Sequence, residues 1–209
     1  MSGAEAKEPA EMKLRTRKGL TYRLCQLASW ITCRIYIPTK VIGRENIPKD
    51  GPVVFASNHQ SWLDIPIITA FAPRHVSFVA KDTLAQGPVM AHILEHSGAV
   101  LLKRGESDVA AMREMVAHLD AGDCLCVFPE GTRSRDGGLG EFQRGVLLAA
   151  RRGKAQVVPV AIRGSFGAWP VGQKFPHPHR ITLQFGEPMD PREGIEKVQS
   201  AVAAMLGSR

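Results

Sequence analysis

Residues 56–67 read ASNHQSWLDIPI. The run before them, GPVVFAS, and the run after them, DIPIITAFA, are both apolar, so a short polar stretch stands between two segments composed like core. PVVFAS has the length and β-branched content of a buried strand. DIPIITAFA has Asp64 near its start and Pro66 in its first turn, where a helix tolerates proline because those N–H groups have no intrahelical partner. The stretch therefore reads as strand, turn, helix. His59 and Asp64 are five positions apart, a spacing that shares neither a helical face nor a strand face. Only the turn can bring them together.

The same alternation continues along the chain. HVSFVA, AVLL, CLCVFP, AQVVPVAIRG and HRITLQFGEPM read as strands, and they are separated by GPVMAHILEHSG, SDVAAMREMVAHLDAG and FQRGVLLAARRG as helices, with PREGIEKVQSAVAAML closing the chain. Strands alternating with helices predict an α/β fold, a central and mostly parallel β-sheet flanked by helices. In such sheets ligands bind beyond the carboxyl ends of the strands. PVVFAS ends at Asn58-His59, HVSFVA at Lys81, AVLL at Lys103-Arg104, and CLCVFP at Glu130-Gly131-Thr132-Arg133-Ser134. Four consecutive strand ends thus deliver His, Lys, Arg and Glu to one edge, which makes that edge the candidate site.

The chemistry open to this set is limited. His59 is the side chain suited to general-base work near neutral pH, and Asp64 would fix its tautomer. Lys81, Arg104 and Arg133 can hold an anion such as phosphate. GSFG at 164–167 lacks the spacing of a serine nucleophile elbow. A His–Asp pair without a protein nucleophile implies that the nucleophile is a hydroxyl of the substrate.

Charge placement says where the substrate lies. The formal net charge of the 209 residues is +7. Residues 12–40 carry seven Lys or Arg and no Asp or Glu, residues 1–11 a net of −2, and the remainder only +2. A basic arm on a nearly neutral body fits an anionic surface, and nucleic acid gives no role to His59 and Asp64. Residues 1–11 read as a disordered tail and 12–37 as a helix stopped by Pro38, with 41–209 as the globular domain. Leu20, Leu24, Leu27, Ile31 and Ile35 fall on one helical stripe, flanked by Arg23, Arg34 and Trp30. The segment is too short and too interrupted to span a bilayer, so it reads as a membrane-associating amphipathic helix. Packing on the domain is the competing use of that stripe. Cys25, Cys33, Cys124 and Cys126 lack zinc spacing, and Cys124 and Cys126 should point to one face of a strand as buried thiols. With no secretory signal visible, the expected location is the cytoplasmic face of a membrane, peripheral or monotopic.

The quoted residues resemble a known family. NHQSWLD is similar to the N-H-x-x-x-x-D block of the glycerolipid acyltransferases, in particular those acting on lysophosphatidate. GAVLLKR at 98–104, FPEGTRS at 128–134 and VVPVAIRG at 157–164 resemble their second, third and fourth blocks, in order. The resemblance spans roughly residues 40–190 and implies transfer of an acyl group from acyl-CoA or acyl carrier protein to a lysophospholipid hydroxyl. It makes His59 the base and Asp64 its partner, Arg104 a contact to the acceptor's phosphate, and Glu130, Gly131, Thr132 and Arg133 parts of the acceptor site. Lys81 is added from its strand-end position. Lys103 departs from the family, which often has an acidic residue there. Neither a metal nor a cofactor is expected. Another acceptor (a different lysophospholipid, a lyso-aminolipid or glycerol 3-phosphate) remains open, as does a nonenzymatic anionic-lipid-binding module.

Overall fold

The computed structural model describes residues 19–81, 87–102 and 108–208. Among these residues seven strands form one sheet: β1 (Thr39–Ile42), β2 (Val53–Ser57), β3 (Ser77–Lys81), β4 (Val100–Leu102), β5 (Cys124–Val127), β6 (Gln156–Arg163) and β7 (Ile181–Phe185), in the order β1-β7-β6-β2-β5-β3-β4. All neighbouring pairs are parallel except β6 with β7. The sheet is thus mostly parallel, as the alternation predicted. Strand β1 was not foreseen: TKVI is short and half-exposed, and it gains its place by pairing with β7.

The helices are α1 (Leu20–Ile35), α2 (Asp64–Phe71), α3 (Pro88–His96), α4 (Asp108–Asp120), α5 (Gly145–Arg152), the single turn α6 (Ser165–Ala168) and α7 (Ile195–Gly207). The closing helix begins at Ile195 instead of Pro191. Residues Pro191–Glu193 form a separate 3-10 turn capped by Asp190, and Gly194 breaks the run at φ +99°.

Strand β2 lies at the centre, and every one of its residues is buried. Its side chains alternate between two cores. Val53 and Phe55 join Ile67, Ile68, Cys124 and Cys126 on one face, while Val54 and Ala56 join Leu125, Val146 and Val157 on the other. Layers on both faces explain why these strands read as continuous apolar runs. Phe55 is wholly buried, so truncation to alanine would cost about 3–5 kcal/mol.

Helix α1 packs on α2 with an unusual choice of face. It buries Tyr22 and Cys33, and Gln26 Nε2 donates to the Thr69 carbonyl at 2.8 Å. The Tyr22 hydroxyl accepts from Val76 N–H, and burial pushes its pKa up to about 12. The stripe of Leu20, Leu24, Leu27, Ile31 and Ile35 faces outward, Ile35 being 79% exposed. Among the described residues no helix is long and apolar enough to cross a membrane. The predicted tail at 1–11 and residues 12–18 of the predicted helix lie outside the described residues.

Candidate active site

The site begins where β2 ends. Asn58 is fully buried and turns its amide across to β6, donating from Nδ2 to the Ile162 carbonyl at 2.9 Å and accepting Ile162 N–H on Oδ1 at 2.8 Å. A side chain thereby continues the β2–β6 ladder and releases the backbone to turn. His59 is the next residue.

The turn winds around one carboxylate oxygen. Asp64 Oδ2 meets His59 Nδ1 at 2.8 Å and also accepts the N–H groups of Gln60 at 2.7 Å and Ser61 at 2.8 Å. Asp64 has no exposed surface, while the His59 side chain keeps 17%. An ionised carboxylate only accepts, so the Nδ1 position donates and the lone pair of the neutral ring is left on Nε2. The two residues that sequence spacing could not put on one face are thus joined by the turn.

The segment after β5 holds His59 from below. Phe128 stacks on the imidazole at 3.9 Å between ring centres and 16° between planes. Glu130 Oε1 accepts the His59 N–H and Oε2 the Gly140 N–H, each at 2.8 Å, and Ser134 N–H donates to the His59 carbonyl at 2.8 Å. Burial raises the Glu130 pKa against the pull of those hydrogen bonds.

Next to His59 opens a cavity of about 630 Å³. Its polar lining includes Thr132, Arg133 and Gln143; Val79, Met112, Met115, Val127 and Val146 supply apolar wall. Gly131 also lines it, at φ +70°, where a Cβ would approach Gln143 Nε2 to 3.1 Å. The Arg133 guanidinium carbon lies 3.7 Å from the centre of the Trp62 ring. Its Nη1 is buried without a hydrogen-bond partner, and burial lowers its pKa, offset in part by the Asp64 charge.

Of the residues singled out in sequence, His59, Gly131, Thr132 and Arg133 therefore line one cavity, and Asp64 stands behind His59. Glu130 faces the other way, with both oxygens on backbone N–H groups. Lys81 closes β3, and only its backbone is described. Lys103 and Arg104 lie outside the described residues. Sequence reasoning missed the Asn58 bracket and the Phe128 stack. Their only signal was adjacency to the polar blocks, because partners more than 60 residues away leave no local pattern. Among the described residues no cluster of His, Cys, Asp and Glu could hold a metal ion.

The acyltransferase family model matches residues 38–163. Over 163 residues the chain is 32% identical to the chloroplastic 1-acyl-sn-glycerol-3-phosphate acyltransferase of Brassica napus, covering 77% of this chain and 47% of that protein. It is 26% identical over 169 residues to the 1-acyl-sn-glycerol-3-phosphate acyltransferase of Bacillus subtilis, covering 80% of this chain and 82% of that one. The crystal structure of the 1-acyl-sn-glycerophosphate acyltransferase PlsC from Thermotoga maritima matches with a TM-score of 0.77 and 31% identity, over 88% of this chain and 76% of that one. The chain spans about half the length of the first curated relatives it matches, from 42% to 52% of each.

Proposed function

The chain belongs to the acyltransferase family, and we propose that it moves a fatty acyl group from a thioester to the free hydroxyl of lysophosphatidate, giving phosphatidate. One observation carries the reading: His59, fixed through Nδ1 by a buried carboxylate, lines a cavity that is part polar and part apolar. The apolar wall suits an acyl chain, and Arg133 suits an anionic acceptor.

In the reaction, His59 Nε2 takes the acceptor hydroxyl's proton as its oxygen forms a bond to the thioester carbonyl carbon. Asp64 stabilises the imidazolium that results. The tetrahedral oxyanion needs donors, and the N–H groups of Gln60, Ser61 and Gly131 already have acceptors. The hydroxyl and amide of Thr132, on the cavity wall, are the donors we assign. Collapse breaks the carbon–sulfur bond, and the proton passes from His59 to the departing sulfur. The thioester is acyl-CoA or acyl carrier protein. The purified protein should release free thiol and form phosphatidate only when both thioester and lysophosphatidate are present. Thiol release independent of acceptor would make it a hydrolase, and preference for glycerol 3-phosphate or a lyso-aminolipid would change the acceptor.

Both substrates are amphiphiles, and we assign the outward stripe of α1, bordered by Arg23 and Arg34, to a peripheral seat on an anionic bilayer at its cytoplasmic face. The helix also contributes core, so removing it would damage the fold. Leu24→Ser with Ile31→Ser touches only exposed positions and should cut sedimentation with anionic vesicles about tenfold or more while leaving the unfolding midpoint unchanged. Undiminished sedimentation would refute the seat.

A further inference from the structure

Trp62 has no part in the chemistry above, yet it stands inside the catalytic turn. Its neighbours Ser61 and Leu63 are buried, while its indole remains 42% exposed. What its ring touches is Arg133, with the guanidinium carbon 3.7 Å from the ring centre, a van der Waals stack on the aromatic face. Arg133 makes no ion pair among the described residues, and its Nη1 is shut away from water without an acceptor. Asp64 Oδ1 is likewise buried and unpartnered, and the Asp64 charge is felt at Arg133. A guanidinium free to swing would satisfy both atoms by pairing with Asp64, and it would draw that carboxylate away from His59. The guanidinium is instead seated on the Trp62 face at the cavity wall. A flat, delocalised, weakly hydrated cation can be seated by an indole in a way that an ammonium cannot.

The geometry points to Trp62 as a positioning residue: its indole face clamps the Arg133 guanidinium on the cavity wall, keeping it available to the phosphate of the acceptor and away from Asp64. The clamp rests on the acceptor reading above for the identity of its anion. Stacking on the ring also covers one face of the half-buried cation, so an incoming phosphate oxygen has less water to displace there.

The test is a double-mutant cycle on lysophosphatidate binding, read by calorimetry in neutral detergent micelles so that no turnover is needed. Trp62→Leu should weaken binding about tenfold, the range of a desolvated cation–π contact. Trp62→Tyr should recover most of that loss. In an Arg133→Met background, which keeps the aliphatic stem, Trp62→Leu should cost nothing further; if that background fails to fold, Arg133→Lys serves in its place. In assays with thioester, Trp62→Leu should raise the acceptor KM and leave kcat within about threefold, because it acts on binding and not on His59. Equal losses in the wild-type and Arg133→Met backgrounds would make Trp62 a plain wall, and unchanged binding would remove it from the site altogether. A wild type that binds lysophosphatidate but transfers nothing would overturn the acyltransferase reading and leave the clamp standing.

Discussion

Among the described residues, two His–Asp pairs share the same spacing and the same geometry. His59 and Asp64 are five residues apart with Nδ1 and Oδ2 at 2.8 Å; so are His118 and Asp123, also at 2.8 Å. Their surroundings differ. The first pair sits past the carboxyl end of β2, where Asp64 also collects two turn N–H groups and His59 lines the cavity. The second bridges the end of α4 to the residue before β5, at the opposite edge of the sheet. There Asp123 N–H donates to the His118 carbonyl, its own carbonyl accepts Val53 N–H, and both side chains are nearly buried, at 11% and 9% exposed. Neither residue lines the cavity. On the acyltransferase reading proposed above, one pair is an instrument and the other a latch. Spacing and distance do not separate them, but position on the sheet does.

Exchanging the histidines gives the largest contrast. His59→Ala should lower kcat by about 10²–10⁴, the usual worth of a positioned general base, at a stability cost of no more than about 1–3 kcal/mol, because Asp64 keeps the Gln60 and Ser61 N–H groups. His118→Ala should leave kcat within about threefold and cost about 1–3 kcal/mol of stability, because Asp123 is left buried without its donor. Initial rates and denaturant unfolding on both variants read the two effects. If His118→Ala abolished transfer in a folded protein, the distinction between instrument and latch would be lost.

The carboxylates sharpen it. Asp64→Asn preserves shape, but all three contacts fall on one oxygen: an amide oxygen there keeps the turn and loses the charge that stabilises the imidazolium, and an amide NH2 there would face the Gln60 and Ser61 N–H groups. The expected loss in kcat is about a hundredfold or more. Asp123→Asn removes the corresponding charge at a ring that does not line the cavity, so its rate should stay within about threefold of wild type. Matched rates for the two asparagine variants would mean that the carboxylate charge behind His59 is irrelevant.

That contrast also marks where sequence reading succeeds. HLDAGD carries the same H-x-x-x-x-D spacing as HQSWLD, yet it lies before an apolar strand and not after one. Composition alone separates the two motifs; of the four polar blocks expected on one edge, those after β2 and β5 meet at the cavity, Lys81 is described by its backbone only, and Lys103 and Arg104 lie outside the described residues. The strand at β7 was legible, but its antiparallel pairing and the edge strand β1 were not, since pairing is a long-range choice with no local signature. The role of Glu130 was hidden for a related reason. A glutamate in a polar loop looks like a ligand to substrate until its partners, the N–H groups of His59 and Gly140, are known.

Glu130 yields the smallest effect and a distinctive one. His118 is latched through the backbone of its own partner, whereas His59 is steadied by a third carboxylate whose burial penalty exceeds the benefit of its two hydrogen bonds. The Glu130 pKa is therefore raised above its ordinary 4.5, the reverse of a carboxylate in a good ion pair. The folded state then holds this proton more firmly than the unfolded state does. The contribution to stability is fully present below the unfolded value, and it is lost as pH rises from about 4.5 through the folded value. Glu130→Gln does not titrate, so the stability of the wild type relative to this variant should fall across that window. Denaturant unfolding of both proteins at pH 4 to 7 measures the difference. A relative stability that instead rose with pH would mean that the hydrogen bonds outweigh desolvation, and Glu130 would then be an ordinary anionic brace.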